Sequence, residues 1–268
     1  MENLLESWNL IESQIDGKKI CIFLDYDGTL TPITSSPANA LLEENTKNIL
    51  LKLSANSRCQ LAIISGREIM ELKRLVDIPS LWYSGNHGLE IETEHVQYKK
   101  SLPPAYLNLL RVLYAALNTE LRLFKGVLVE DKGVTLSVHY RNLHPGFEFE
   151  FLDKFQKITD FYMNDESFKI VKGKMVFEIR PNVNWNKGNA VLRLLTEIGF
   201  DPKIHVPFYF GDDATDEDAF KVISEFGITT HIGSDVNSNA AYFLPDVNSM
   251  EHFLTFLLNY LESDSNRD

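Results

Sequence analysis

Apolar positions recur along this chain with two different periods. Leu4, Trp8, Ile11 and Ile15 fall on one helical face, and Asp16-Gly17 ends that helix. Lys18 to Leu24 is short and almost wholly apolar, as in a strand buried on both faces, and it runs directly into Asp25. A polar, Pro-containing stretch covers Thr31 to Asn39. The spacing then predicts a helix over Leu41 to Leu53 and a second buried strand over Gln60 to Ile64, ending at Ser65-Gly66-Arg67. Another helix and a short strand ending at Ser84-Gly85-Asn86 follow. Strand and helix alternating in this way predict a parallel sheet with helices on both faces.

The middle of the chain has a different pattern. Pro104 to Asn118 is helical, with Leu107, Leu110, Tyr114 and Leu117 in register. Gly126 to Glu130 and Val134 to Tyr140 flank Asp131-Lys132-Gly133, a hairpin signal. A helix over Glu148 to Met163 precedes a second hairpin-like pair, Phe168 to Val171 and Met175 to Arg180. Phe147, Phe149, Phe151 and Phe155 supply apolar bulk for a core there. Alternation resumes with a helix opened by Asn186-Lys187-Gly188, a strand over Val206 to Phe210 ending at Gly211-Asp212-Asp213, and another helix. A strand over Ile228 to Ile232, the segment Ala241 to Leu244 and a final helix marked by Met250, Phe253, Leu257 and Leu261 complete the chain. Ser263 to Asp268 are polar and expected to fray. The expected fold class is therefore α/β: a doubly wound parallel-sheet (Rossmann-like) core over residues 1–104 and 185–268, with an inserted α+β domain over 105–184.

The 268 residues are 44% hydrophobic, enough for a substantial core. Lys and Arg number 26 against 38 Asp and Glu, a net charge of −12, which disfavours nucleic acid or an anionic membrane as partner. Cys21 and Cys59, both in or beside predicted core strands, do not make a disulfide framework and suit a reducing compartment. The acidic start, Met1 to Glu6, lacks the basic and apolar regions of a signal peptide, and no apolar run approaches the roughly 18 residues of a membrane span. The expectation is a monomeric cytoplasmic protein acting on a small molecule.

The chemistry-bearing residues cluster at predicted strand ends. Asp25-Tyr26-Asp27-Gly28-Thr29 follows the first core strand, Ser65-Gly66-Arg67 the second, Asn86-His87-Gly88 the third and Gly211-Asp212-Asp213 the fourth. The carboxyl ends of strands are where open α/β sheets bind ligands. Asp25, Asp27 and Asp212 brought together would repel unless a counter-ion intervened, and a hard cation such as Mg²⁺ suits oxygen donors. Ser65 and backbone N–H groups after Asp25 are expected to hold phosphate oxygens, with Gly28, Thr29 and Gly66 in the same loops. Lys187, at a helix N-terminus, adds a positive charge to the helix dipole. Each has an ordinary structural alternative: an Asp after a strand is often a turn or capping residue, and acidic residues such as Glu217 and Asp218 suit a helix's first turn.

These four motifs in this order resemble those of haloacid-dehalogenase-superfamily phosphatases over nearly the whole chain. Ser65-Gly66-Arg67, Gly85-Asn86-His87-Gly88, Val176-Phe177-Glu178-Ile179-Arg180-Pro181, Asn186-Lys187-Gly188 and Gly211-Asp212-Asp213-Ala214-Thr215-Asp216-Glu217 narrow the resemblance to the trehalose-6-phosphate phosphatase family. The resemblance implies that Asp25 attacks phosphorus to give an aspartyl phosphate and that Asp27 is general acid and then base. It implies Mg²⁺ on Asp25, the Asp27 carbonyl and Asp212, with Asp213 and Asp216 at or near the metal. Ser65 and Lys187 would hold the phosphoryl group. The inserted domain would be a sugar-reading cap, with Glu130, Lys132, His139, Arg141, Lys174, Glu178 and Arg180 as candidates, while Arg67, Asn86 and His87 would line the core side of the cleft. The implied substrate is trehalose 6-phosphate. Sucrose 6-phosphate or mannosyl-3-phosphoglycerate in a related enzyme, or a phospho-acceptor signalling module, are the alternatives, and Asp27 together with the cap speaks against the module.

Overall fold

The chain enters a sheet at its second residue. In the computed structural model, which describes residues 1–34, 37–162, 166–234 and 237–264, Glu2–Asn3 forms β1. The helix expected from Leu4 therefore begins later, as α1, Trp8–Ile15. The Asn3 side chain accepts the N–H of Leu5 at 3.0 Å, an Asx turn that competes with a helical start. Then follow β2 (Lys19–Leu24), α2 (Glu44–Ala55), β3 (Cys59–Ile64), α3 (Ile69–Val76) and β4 (Trp82–Gly85). Two short strands the apolar pattern does not announce extend the sheet, β5 (Glu90–Glu92) antiparallel to β4 and β6 (Gln97–Lys99) antiparallel to β5. Four of their six residues are polar, and only Ile91 and Tyr98 give them apolar contact with the core, too little for an apolar run to mark them in the sequence.

Next are α4 (Pro104–Leu121), β7 (Leu128–Asp131), β8 (Leu136–His139), α5 (Glu148–Tyr162), β9 (Phe168–Gly173) and β10 (Val176–Pro181). The last stretch holds α6 (Lys187–Ile198), β11 (His205–Gly211), α7 (Glu217–Ile223), β12 (Ile228–Ile232), β13 (Tyr242–Leu244) and α8 (Val247–Asp264). Met163, expected in α5, and Ser35 and Ser36 of the polar stretch lie outside the described residues. Of the expected fray, Ser263 and Asp264 are helical, and Asp264 pairs with Arg58; residues 265–268 lie outside the described residues.

By its internal contacts the chain forms two compact units, Met1–Lys99 with Trp185–Asp268, and Lys100–Asn184. Among the described residues the first holds a nine-stranded sheet ordered β1-β13-β12-β11-β2-β3-β4-β5-β6, parallel from β1 through β4. Side chains of β2 alternate between two cores. Ile20, Ile22 and Leu24 join the cluster built with α1, α2, α3 and α8, while Cys21 and Phe23 join the one built with α6 and α7. A strand buried on both faces has no room for the polar half of an alternating pattern, which explains the unbroken apolar run. Cys21 and Cys59 side chains belong to opposite faces, and both are free thiols. Among the described residues no helix is long and apolar enough to cross a membrane.

The second unit packs α4 and α5 on an antiparallel sheet ordered β7-β8-β10-β9. Its core stacks Phe151, Phe155, Phe177 and Tyr140, with Phe155 and Phe177 centroids 4.5 Å apart. Leu136 and Val138 point into that core, so Ser137 and His139 fall on the other face. Phe151→Ala should cost about 3–5 kcal/mol in chemical denaturation, through the cavity left among these rings. Phe149→Ala, at a position 80% exposed, should stay within about 0.5 kcal/mol. Equal effects at the two positions would show that this core is not as described.

Candidate active site

Strand order brings the sequence motifs to one edge. β11, β2, β3 and β4 are consecutive and parallel, so residues 212, 25, 65 and 86 leave the sheet from the same end. Leu24 is in register with Phe210, and the N–H of Asp25 donates to the Phe210 carbonyl at 2.9 Å, which sets Asp25 beside the Gly211-Asp212 turn.

Lys187 is the first residue of α6, where Asn186 caps the helix in a reciprocal capping box with Asn189. Its ammonium is buried and donates to Asp25 Oδ1 and Asp216 Oδ1, both at 2.7 Å. Asp216, fully buried before α7, also accepts the Tyr209 hydroxyl at 2.7 Å on Oδ1 and the N–H groups of Asp212 and Asp213 on Oδ2, each at 3.2 Å. Asp25 Oδ2 accepts the Thr29 hydroxyl at 3.3 Å.

Carboxylate oxygens of Asp25, Asp212 and Asp216 all lie within 4.8 Å of one another. Burial drives the Asp25 carboxyl well above its ordinary range; Lys187 opposes the rise, and the charges of Asp216, Asp212 and Asp213 add to it. Burial likewise pushes Asp216 up to about 7 against the pull of Lys187. Burial alone would discharge Lys187, but Asp216 and Asp25 hold it firmly protonated. Burial also works against ionised Asp213, yet Lys187 and two bonds from Thr215 bring it down to about 2.

Two glycines permit this crowding. A Cβ on Gly211 would lie 2.2 Å from the Asp216 carboxyl carbon, and one on Gly28 would lie 2.2 Å from Asp212 Oδ2. Gly28 also has φ +93°, a conformation that side chains with a Cβ resist.

The donor set suits a hard cation: three buried carboxylates meet one ammonium, and all ligating atoms are oxygen. The acceptor positions are unequal, however. Asp216 is already committed to four donors, and Asp213 Oδ1 accepts the N–H and hydroxyl of Thr215. Asp27 turns its carboxylate to Arg67, with Nε donating to Oδ2 and an NH2 to Oδ1, each at 2.7 Å. Asp25, Asp212 and Asp216 are the grouped side chains that could hold a cation.

The N–H of Gly28 donates to the Thr31 carbonyl at 2.7 Å and that of Thr29 to the Tyr26 carbonyl at 3.4 Å, so these two donors close the turn itself. Ser65 is buried, and its hydroxyl accepts the Arg67 N–H at 3.2 Å. The N–H of His87 donates to the Ser65 carbonyl and that of Asn86 to the Arg67 carbonyl, tying the two loops together. Both residues have positive φ, at 55° and 49°, strain of the kind found where a site fixes its backbone. The Asn86 amide donates to Glu90 Oε2 at 2.8 Å, and the His87 ring packs against Gly66.

In the second unit, register sets Glu130 and Glu178 on either side of Ser137. Lys132 Nζ lies 3.8 Å from Glu130 and 3.6 Å from Glu178. His139 Nε2 meets Glu130 Oε2 at 2.9 Å, and Arg180 pairs with Glu178. Five of the expected residues thus make one charged sheet face. Arg141, just after β8, donates to the carbonyl of Lys174 in the exposed β9–β10 turn at 2.9 Å.

Tyr209, Glu71 and Tyr26 were not among the expected site residues. Tyr209 and Tyr26 read as core aromatics, and nothing local marks their partners. Glu71 had a signal, since it stands four residues after Arg67 and pairs with it at 2.9 Å.

A model of the trehalose-phosphatase family matches residues 23–248. A probable trehalose-phosphate phosphatase 2 of Oryza sativa subsp. japonica is 32% identical over 97% of this chain and 74% of its own length. Trehalose-phosphate phosphatase B of Arabidopsis thaliana is 31% identical over 96% of this chain and 71% of its own. In fold, the C-terminal domain of C. albicans trehalose-6-phosphate phosphatase superposes with a TM-score of 0.81, at 23% identity, over 97% of this chain and 98% of that one. The expected α/β core with an α+β insertion is the arrangement these neighbours share. With the family model spanning most of the chain, from the strand before Asp25 to beyond β13, this protein belongs to the trehalose-phosphatase family and is a phosphatase.

Proposed function

We propose that this chain is a Mg²⁺-dependent phosphatase that releases phosphate from trehalose 6-phosphate through a covalent intermediate on Asp25. The observation that carries the reading is the buried Asp25 held by Lys187 beside Asp212. A carboxylate kept dry and fixed by one ammonium is a preorganised nucleophile, provided its neighbours' charge is balanced.

Asp25 and Asp212, with the Asp27 carbonyl, would hold the ion. When bound, Mg²⁺ supplies positive charge that balances the carboxylates and polarises the phosphoryl oxygens. Lys187 shares its ammonium between Asp25 and Asp216, so it keeps Asp25 in place and offers charge to the phosphoryl group as it transfers. The Ser65 hydroxyl donates to a phosphoryl oxygen while accepting from Arg67 N–H.

In the first step an Asp25 oxygen bonds to phosphorus, the bond from phosphorus to the sugar oxygen breaks, and a proton passes from Asp27 to that oxygen. In the second, Asp27 takes a proton from water, whose oxygen attacks phosphorus and frees Asp25. The charged face of Glu130, Lys132, His139, Glu178 and Arg180 is suited to a disaccharide, because charged groups make strong directional bonds to hydroxyls. The relatives' printed names supply the sugar.

A panel assayed for phosphate release should rank trehalose 6-phosphate above sucrose 6-phosphate and mannosyl-3-phosphoglycerate; a low rank would overturn the substrate assignment. Chelation of divalent ions should abolish turnover and added Mg²⁺ restore it, whereas full activity in chelator would remove the metal from the reading. Asp25→Asn should lower kcat by at least about a thousandfold and weaken Mg²⁺ binding in calorimetry. Near-normal turnover in that variant would dismiss Asp25 as nucleophile.

A further inference from the structure

Arg67 is pinned from four sides. Its Nε and one NH2 hydrogen go to the two oxygens of Asp27, at 2.7 Å each. NH2 also donates to the Pro37 carbonyl at 2.8 Å, and NH1 to Glu71 Oε1 at 2.9 Å. The guanidinium lies over the Tyr26 ring, 5.4 Å from its centroid. Tyr26 is itself buried and tethered through its hydroxyl to the Ala40 carbonyl at 2.8 Å.

Burial is uneven across the pair. The Arg67 side chain is 6% exposed and that of Asp27 is 39% exposed. The cation is therefore the fixed member and the carboxylate the member that can meet a ligand. A single hydrogen bond leaves a carboxyl group free to turn about it, whereas two parallel bonds fix its plane. With four N–H bonds already placed within the protein, Arg67 is poorly disposed to bind substrate itself.

We propose that Arg67 is the positioning residue of Asp27: it orients the carboxyl group that protonates the leaving sugar oxygen and receives the charge that group acquires. The inference rests on the reading of Asp27 as general acid. As the bond from Asp25 to phosphorus forms and the bond to the sugar oxygen breaks, the Asp27 proton moves to that oxygen. The products are a neutral sugar hydroxyl and a carboxylate facing the guanidinium. Glu71 and the Pro37 carbonyl hold the guanidinium in place, so the fork keeps one orientation of Asp27.

A sugar alkoxide leaves poorly without a proton, and a nitrophenolate leaves well without one. The discriminating quantity is the ratio of kcat/KM for trehalose 6-phosphate to kcat/KM for p-nitrophenyl phosphate. Because kcat/KM covers steps only as far as departure of the leaving group, it excludes hydrolysis of the intermediate common to both substrates. In Arg67→Met the ratio should fall about a hundredfold, within the range a general acid contributes. Arg67→Lys should restore little of it, since one ammonium cannot make the fork. Asp27→Asn should show the same selectivity.

An unchanged ratio in both Arg67 variants, beside a lowered ratio in Asp27→Asn, overturns the role of Arg67 alone. An unchanged ratio in Asp27→Asn overturns the acid reading and the Arg67 proposal together. A rise in KM for the phosphosugar with kcat intact would make Arg67 a substrate-binding residue and likewise overturn it. Should Arg67→Met fail to fold, Glu71→Gln keeps the fork and loosens its anchor. The ratio should then fall several-fold, and an unchanged ratio counts against the proposal.

Discussion

The ammonium of Lys187, buried between Asp25 and Asp216, is the contact on which the rest of the site depends. A charge removed from water is tolerated only when partners surround it closely, because the loss of hydration is otherwise several kcal/mol per ion. Much of the neighbouring structure serves that condition. The Asn186 cap starts α6 so that Lys187 lies on its first turn, Tyr209 rises from β11 to bond Asp216, and two backbone N–H groups close on the same carboxylate. The absence of a side chain at Gly211 and Gly28 lets the carboxylates approach. Asp216 thereby has both its oxygens occupied by the protein's own donors.

A second constraint is the fork of Arg67. It joins the loop after β3 to the loop after β2, and Tyr26 and Glu71 keep it in place. The loop at Asn86 and His87 is drawn to the same point by two backbone bonds to Ser65 and Arg67. Three strand ends thus share one hydrogen-bonded frame, and strained backbone at residues 86 and 87 is sustained by it.

The four-stranded sheet of the second unit shows how alternation divides labour. Leu136, Val138, Phe177 and Ile179 build a core with α4 and α5, while Ser137, Glu178, Glu130 and His139 share the opposite face. Acid and base side chains are interleaved there, so each charge has a partner, and Lys132 is buried between two glutamates.

The sequence by itself determined most of the elements and the place of Asp25 at a strand end. Strands buried on both faces must be apolar throughout, so β2, β3 and β11 were legible, and the acidic or polar residue that breaks each run marked a strand end. The motif order, the helix opening at Lys187 and the two hairpins could be read the same way. The short edge strands β5 and β6 were not legible, since their pairing partner and not their composition makes them strands. Local sequence also could not say which acids hold an ion and which hold the loop. Which partners each acid takes is decided by contacts between residues far apart in the chain, as when Tyr209 and Lys187 occupy Asp216, or Arg67 takes both oxygens of Asp27. A hydrogen-bonding group has few positions to fill, and only the folded chain decides which neighbour fills them.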